Sequence, residues 1–201
     1  SGMAPPAVSV AEVIEQPVTE WDELTGRLEA PESVEIRPRV SGFIDKVAFE
    51  EGALVKKGDL LFQIDPRPFQ AEVKRLQAQL QQARATQQRT VAEAERGERL
   101  RQKNAISAEL ADARVSAASE ARSATAAIQA QLDRAQLDLS FTRVTAPIDG
   151  RVGRALITSG NLVNAGEALL TTLVSTDKVY AYFEADERTY LKYRELARNG
   201  D

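Results

Sequence analysis

Val144-Thr145-Ala146-Pro147-Ile148-Asp149-Gly150-Arg151-Val152 opens a segment that the chain has already used once. Gly150, Gly160 and Gly166 repeat the spacing of Gly42, Gly52 and Gly58 at one constant offset. In the same register Ile44 falls on Val152, Leu54-Val55 on Leu162-Val163, and Leu61-Phe62 on Leu169-Leu170. Glycines at tight turns with apolar pairs between them describe a compact β structure. Three glycines could coincide by accident, but the shared apolar register makes this an internal repeat. Each half spans about 30 residues, too few to bury a core alone. The two halves must therefore pack together, and whatever lies between them has to leave the β domain and come back.

The intervening segment has helical grammar. Asp65-Pro66 is a helix start, an acceptor at the N-cap followed by a residue that needs no amide hydrogen. From there Phe69, Val73, Leu76, Leu80, Ala83, Gln87, Thr90, Ala94 and Gly97 recur in alternating steps of four and three, a heptad seam that becomes smaller and more polar outward. A helix from Pro66 to Lys103 would run roughly 55 Å. Arg99, Arg101 and Lys103 place cations in its last turn, and Asn104 tolerates the left-handed conformation that ends it. Ser107 can cap a second helix, with Glu109 in its first turn. So short a connection makes the two helices antiparallel. The returning helix is expected to pack through Leu110, Ala113, Ala117, Ala121, Ala124, Ile128, Leu132, Ala135 and Leu139.

Outside this core, Val8–Val10, Val13-Ile14 and Val18 to Leu28 read as short strands bounded by Gln16-Pro17 and Ala30-Pro31. Near the other end a strand is expected over Val179–Phe183, then a helix from Glu187 to Arg198 with Asp186 as its N-cap. These flanks read as parts of one further β domain that lacks its remaining strands.

Composition narrows the chemistry. The 201 residues include no cysteine, no histidine and a single methionine, Met3. Soft and borderline metals lose their preferred ligands, and proton transfer loses its commonest residue. A net charge of -4 with both signs interspersed argues against a nucleic-acid surface. The glycine triads lack the following lysine and hydroxyl of a phosphate loop. Asp45, Glu50, Glu51 and Asp59 read as surface and turn carboxylates, so no enzyme activity and no cofactor are expected. No run reaches the roughly 20 apolar residues of a membrane span.

Val40-Ser41-Gly42-Phe43-Ile44, Glu51-Gly52-Ala53-Leu54-Val55-Lys56-Lys57-Gly58-Asp59-Leu60-Leu61-Phe62 and Ile64-Asp65-Pro66 together resemble the first lipoyl half-motif of periplasmic adaptor subunits, or membrane fusion proteins. Thr145 to Gly153 is similar to the second half-motif. The resemblance is greatest to adaptors of resistance-nodulation-division (RND) multidrug efflux pumps. It implies an α+β fold: a split lipoyl-like β-sandwich with an inserted antiparallel coiled-coil hairpin, plus part of a β-barrel domain. The implied layout gives barrel strands to 1–34, the first lipoyl half to 35–65, the hairpin to 66–139, the second half to 140–174, and an incomplete return to the barrel to 175–201. It further implies a periplasmic protein anchored at the inner membrane by a lipid or segment outside this chain. The implied partners are an inner-membrane drug/proton antiporter, an outer-membrane channel and further copies of itself, usually six.

The same resemblance implies a channel-binding motif at the hairpin tip, which Arg96, Leu100 and Ser107 fit in spacing. Arg96 and Leu100 are one turn apart on one helix face, and Ser107 lies across the turn. Each also has an ordinary structural reading: a solvated arginine, a lone exposed leucine and an N-cap. Two rivals stand beside the RND adaptor. One is an adaptor of an ATP-driven or major-facilitator exporter. The other is a lipoyl or biotinyl carrier, disfavoured because the junction that would hold the modified lysine is filled by helix, while Lys46, Lys56 and Lys57 lie inside the first half.

Overall fold

A computed structural model describes residues 9–29 and 32–200. In chain order the elements are β1 (Gly26–Glu29), β2 (Ser33–Ile36), β3 (Gly42–Val47), β4 (Leu54–Val55), β5 (Leu60–Ile64), α1 (Arg67–Gln102), α2 (Ala108–Phe141), β6 (Arg143–Thr145), β7 (Gly150–Val152), β8 (Leu162–Val163), β9 (Thr171–Val174), β10 (Tyr180–Phe183) and α3 (Glu187–Asn199). They divide into two compact units, one from residues 32–180 and one from residues 9–29 with 181–200.

In the larger unit the repeat governs strand pairing. Its two four-stranded sheets have the orders β2-β9-β7-β4 and β6-β5-β3-β8, so each mixes strands from both halves. β3 meets β8 through Gly42↔Val163 and Phe43↔Leu162; β4 meets β7 through Val55↔Gly150 and Leu54↔Arg151. Moving every residue by the repeat offset of 108 turns one ladder into the other. The turns obey the same operation. Gly52 N–H donates to Val152 O at 3.0 Å and Gly160 N–H to Ile44 O at 2.7 Å, while Gly58 to Ala146 and Gly166 to Pro38 both measure 2.8 Å. These four glycines have φ between 75° and 93°, which a side chain would resist. The two halves are thus related by a pseudo-twofold axis.

Pro38 breaks the copy at one point. Its repeat partner, Ala146, donates its N–H to Asp59 O at 2.9 Å, a bond proline cannot make. The corresponding carbonyl, that of Glu167, instead accepts from Arg37 Nη1 at 2.7 Å. Between the sheets lie Ile44, Leu61, Phe62, Ile64, Val152, Val163, Leu170 and Leu173, all essentially inaccessible. Side chains of this size each stabilise by about 1.5–3 kcal/mol on burial. Neither half could assemble this core without the other.

The two long helices leave this core after β5 and return into β6. The start of α1 differs from the expected cap: Pro66 occupies the N-cap with αR dihedrals and no side-chain bond, and Asp65 lies one residue before it. The Asp65 carboxylate still accepts from Arg67 N–H at 3.0 Å and from the Arg67 guanidinium at 2.7 Å. Proline, already fixed near helical φ, shifts the boundary while Asp65 keeps its acceptor role. Arg84 contacts Gln129 at 3.1 Å and Arg114 reaches Glu93 O at 3.4 Å, which sets the helices side by side and antiparallel.

On α1, Phe69, Val73, Leu76, Leu80, Ala83, Gln87, Thr90, Ala94 and Gly97 are buried or half-buried. On α2 the packed face differs from expectation near the tip: Leu110, Ala113 and Ala124 are exposed, whereas Ala111, Arg114, Ala118 and Thr125 turn inward. Strict alternation of three and four, counted back from Leu139, selects the observed set. An alanine-rich stretch offers apolar residues on every face, so the bulk of Leu110 pulled the expected face one residue out of phase.

The smaller unit pairs β1 with β10 and carries α3. Asp186 Oδ1 caps α3 by accepting from Thr189 N–H at 2.7 Å. The strands expected before β1 are not formed over residues 9–25; Val8 lies outside the described residues. A strand needs a ladder partner. β1 has β10, but among the described residues no other strand pairs in this unit. Val10, Val13, Ile14, Val18 and Trp21 accordingly stay 78–91% exposed. Lys192 Nζ joins this segment to α3 through Glu20 at 2.9 Å and Asp22 at 3.3 Å. Among the described residues no helix is long and apolar enough to cross a membrane.

Candidate functional site

The turn between α1 and α2 runs from Lys103 to Ser107 and is anchored on Leu100. The Leu100 carbonyl accepts from Lys103 N–H at 3.2 Å and Ala105 N–H at 2.8 Å, and Asn104 reverses the chain at φ 58°. Asparagine pays less than other side chains for that conformation. Ser107 Oγ then accepts from Leu110 N–H at 3.1 Å and starts α2. Its hydroxyl proton has no acceptor among the described residues. Leu100 is half-buried; Arg96, one helical turn nearer the base, is exposed, as is Ser107. Leu100 and Ser107 flank the same five-residue turn, with Arg96 beside them on α1.

Charge at the tip is unevenly neutralised. Arg101 pairs with Glu98 at 2.8 Å, and this hydrogen bond holds the Glu98 carboxyl below its usual value and the guanidinium above its own. Arg89 pairs with Glu93 at 3.1 Å. Arg96, Arg99 and Lys103 have no carboxylate within ion-pair distance among the described residues. The tip therefore presents unspent cationic donors, an apolar patch at Leu100 and a free hydroxyl proton. Such a surface can offer hydrogen bonds to acceptor groups on another macromolecule.

Gly97 holds its expected place in the α1 seam, and Arg114, which lies outside the expected α2 face, packs against it. Gly97 is buried because the Arg114 stem lies across it: a Cβ there would stand 3.0 Å from Arg114 Cδ and 3.6 Å from Ile106 Cδ1. Arg114 thus occupies an inward position opposite a glycine. The signal was a glycine in the seam, which calls for close approach by something large.

A family model described as RND MFP, barrel-sandwich hybrid domain, matches residues 32–175. The chain belongs to this membrane fusion protein family. The efflux pump periplasmic linker BepD of Brucella suis is 39% identical over 181 residues, covering 89% of this chain and 46% of that protein. The multidrug efflux pump subunit AcrA of Escherichia coli K12 is 34% identical over 200 residues, covering 99% and 50%. The chain thus spans about half the length of these curated relatives. The fold is shared with the membrane fusion protein Spr0693 of Streptococcus pneumoniae, at a TM-score of 0.63 and 18% identity over 85% of this chain and 71% of that one.

Proposed function

We propose that this chain belongs to a periplasmic adaptor that links an inner-membrane RND drug/proton antiporter to an outer-membrane channel in a tripartite multidrug efflux pump. The observation that carries this is the helix pair. Two helices of 36 and 34 residues leave a β core between its two repeat-related halves and return to it, with unspent donors where they turn. At 1.5 Å per residue α1 extends about 54 Å, a reach with no purpose in a self-contained binding domain. The similarity to an efflux pump periplasmic linker and to a multidrug efflux pump subunit supports the same role.

In this reading the helix pair is a coiled-coil hairpin, residues 35–65 and 140–174 are the two halves of a lipoyl-like sandwich, and the smaller unit belongs to a β-barrel domain. The protein works in the periplasm, anchored at the inner membrane, in a ring of copies around the conduit. The protein performs no reaction; it transmits contact. Arg96, Leu100 and Ser107 meet the channel, Arg96 by charge-assisted hydrogen bonds, Leu100 by apolar contact, Ser107 through its outward proton. The test is drug resistance of cells whose only adaptor carries Arg96→Asp or Leu100→Asp. Resistance should fall with adaptor abundance and fold unchanged. Resistance at the parent level, at ordinary expression, would remove the tip from the binding surface.

A further inference from the structure

The pseudo-twofold axis emerges between two edge strands, β2 in one sheet and β6 in the other, and a cavity of about 490 Å³ opens there beneath the end of α2. The strands are repeat mates, so the walls come in pairs: Glu35 opposite Arg143, Ile36 opposite Val144, Arg37 opposite Thr145. Ile36 and Val144 are buried and form the floor. Alternate backbone groups of an edge strand point away from its one neighbour, so both strands present peptide groups to this slot. The volume lies in the range of small-molecule sites.

Its electrostatics are lopsided. Arg37, Arg39 and Arg143 line the cavity, with Glu35 as the one carboxylate. Glu35 is already spent, accepting from Arg37 Nε at 3.1 Å and Nη2 at 2.8 Å. The Arg143 side chain has no hydrogen bond or ion pair among the described residues. Arg39 is held with its guanidinium 4.9 Å from the centre of the Phe141 ring, a contact that fixes its position and leaves its N–H donors unspent. Away from the tip, several helix arginines are paired close by, as in Arg75–Glu72, Arg89–Glu93 and Arg134–Asp138. Two forked, unspent cations beside an aromatic wall and an apolar floor suit a planar organic anion. Ser140 and Phe141, at the end of α2, wall the slot where β6 begins, which favours a compact ligand over a through-running peptide strand.

We infer that this cleft binds a small organic monoanion, a carboxylate or sulfonate with an aromatic or alicyclic body, through Arg39 and Arg143. Bound there, the ligand would bridge the residues after β2 to the root of α2 and couple occupancy to the hold of the β core on the helix pair. The inference does not depend on the adaptor role.

Ligand-observed fluorine NMR tests it with two probes of one size and opposite charge, 4-(trifluoromethyl)benzoate and 4-(trifluoromethyl)benzylammonium. The benzoate should bind saturably with Kd about 1 mM or tighter, and the ammonium should not. Arg39→Met and Arg143→Met should each weaken benzoate binding by about tenfold, as expected for loss of a charge-assisted fork. Arg122→Met, removing a cation on α2 away from the cleft, should leave binding unchanged. Both cleft arginines are exposed, so the variants should keep the parent circular dichroism; if either does not, Arg143→Gln carries the test. Equal binding of the two probes, no benzoate binding at 10-fold the expected Kd, or benzoate binding that survives both substitutions would overturn the assignment.

Discussion

Arg114 occupies a packed position that an alanine-rich helix would ordinarily give to a methyl group, and it does so because Gly97 faces it. Gly97→Val fills the space under its stem and should release Arg114 from the Glu93 carbonyl. Hydrogen exchange over residues 93–114 should then accelerate several-fold with little change in overall melting, because the packing that secures the helices lies nearer their base. Asp65 offers a second test. Hydrogen bonds from the Arg67 side chain and then its backbone hold the Asp65 carboxyl down to about 2, against an ordinary 3.8. A folded-state value below the unfolded one means that the stabilisation is fully present above pH about 4 and lost as pH falls toward 2. Carbon-detected NMR titration should find Asp65 titrating low, and Arg67→Gln should move it toward the ordinary value. Legibility at this scale was mixed. Asn104, Ser107 and Asp186 could be read because caps and left-handed turns depend on local chemistry. Arg114 could not, since its burial depends on a glycine 17 positions away in sequence.

At the scale of elements, the helix pair is graded along its length. Val73, Leu76, Leu80, Leu132 and Ala135 form a cluster near the base, with Ile128 and Leu139 against it. Toward the tip the buried positions are Thr90, Gly97, Ala111, Ala118 and Ala121, which remove far less apolar area from water. Amide protection should therefore fall from base to tip in native-state exchange. Leu76→Ala, at a site 2% exposed, should cost about 2–5 kcal/mol. Ala118→Gly should cost only about 1 kcal/mol. Chemical denaturation of the two variants checks the ratio. The α1 face was legible from heptad spacing because its large apolar residues are sparse. The α2 face was not, since alanine gives no contrast between sides and register had to be carried back from Leu139. Of the flanking strands, that expected over Val179–Phe183 formed as β10, while those expected before β1 did not: alternation over 8–25 describes a willingness to be a strand, and pairing requires a partner.

For the whole molecule, the 108-residue offset was the most informative feature in the sequence, since cross-half ladders and turn bonds follow it. What it could not announce was the cleft at the axis, where lining residues come together only after the two edge strands are brought side by side. The central claim is that this core sends the helix pair outward to grip a channel. The most direct measurement is photocrosslinking in intact cells, with a benzophenone amino acid placed at position 100 in one variant and at position 54, in β4, in another. The adaptor role predicts a covalent product between position 100 and an outer-membrane channel protein, identified by mass spectrometry and absent for position 54. Crosslinks from position 100 confined to the adaptor itself or to an inner-membrane protein, with the pump active, would contradict it.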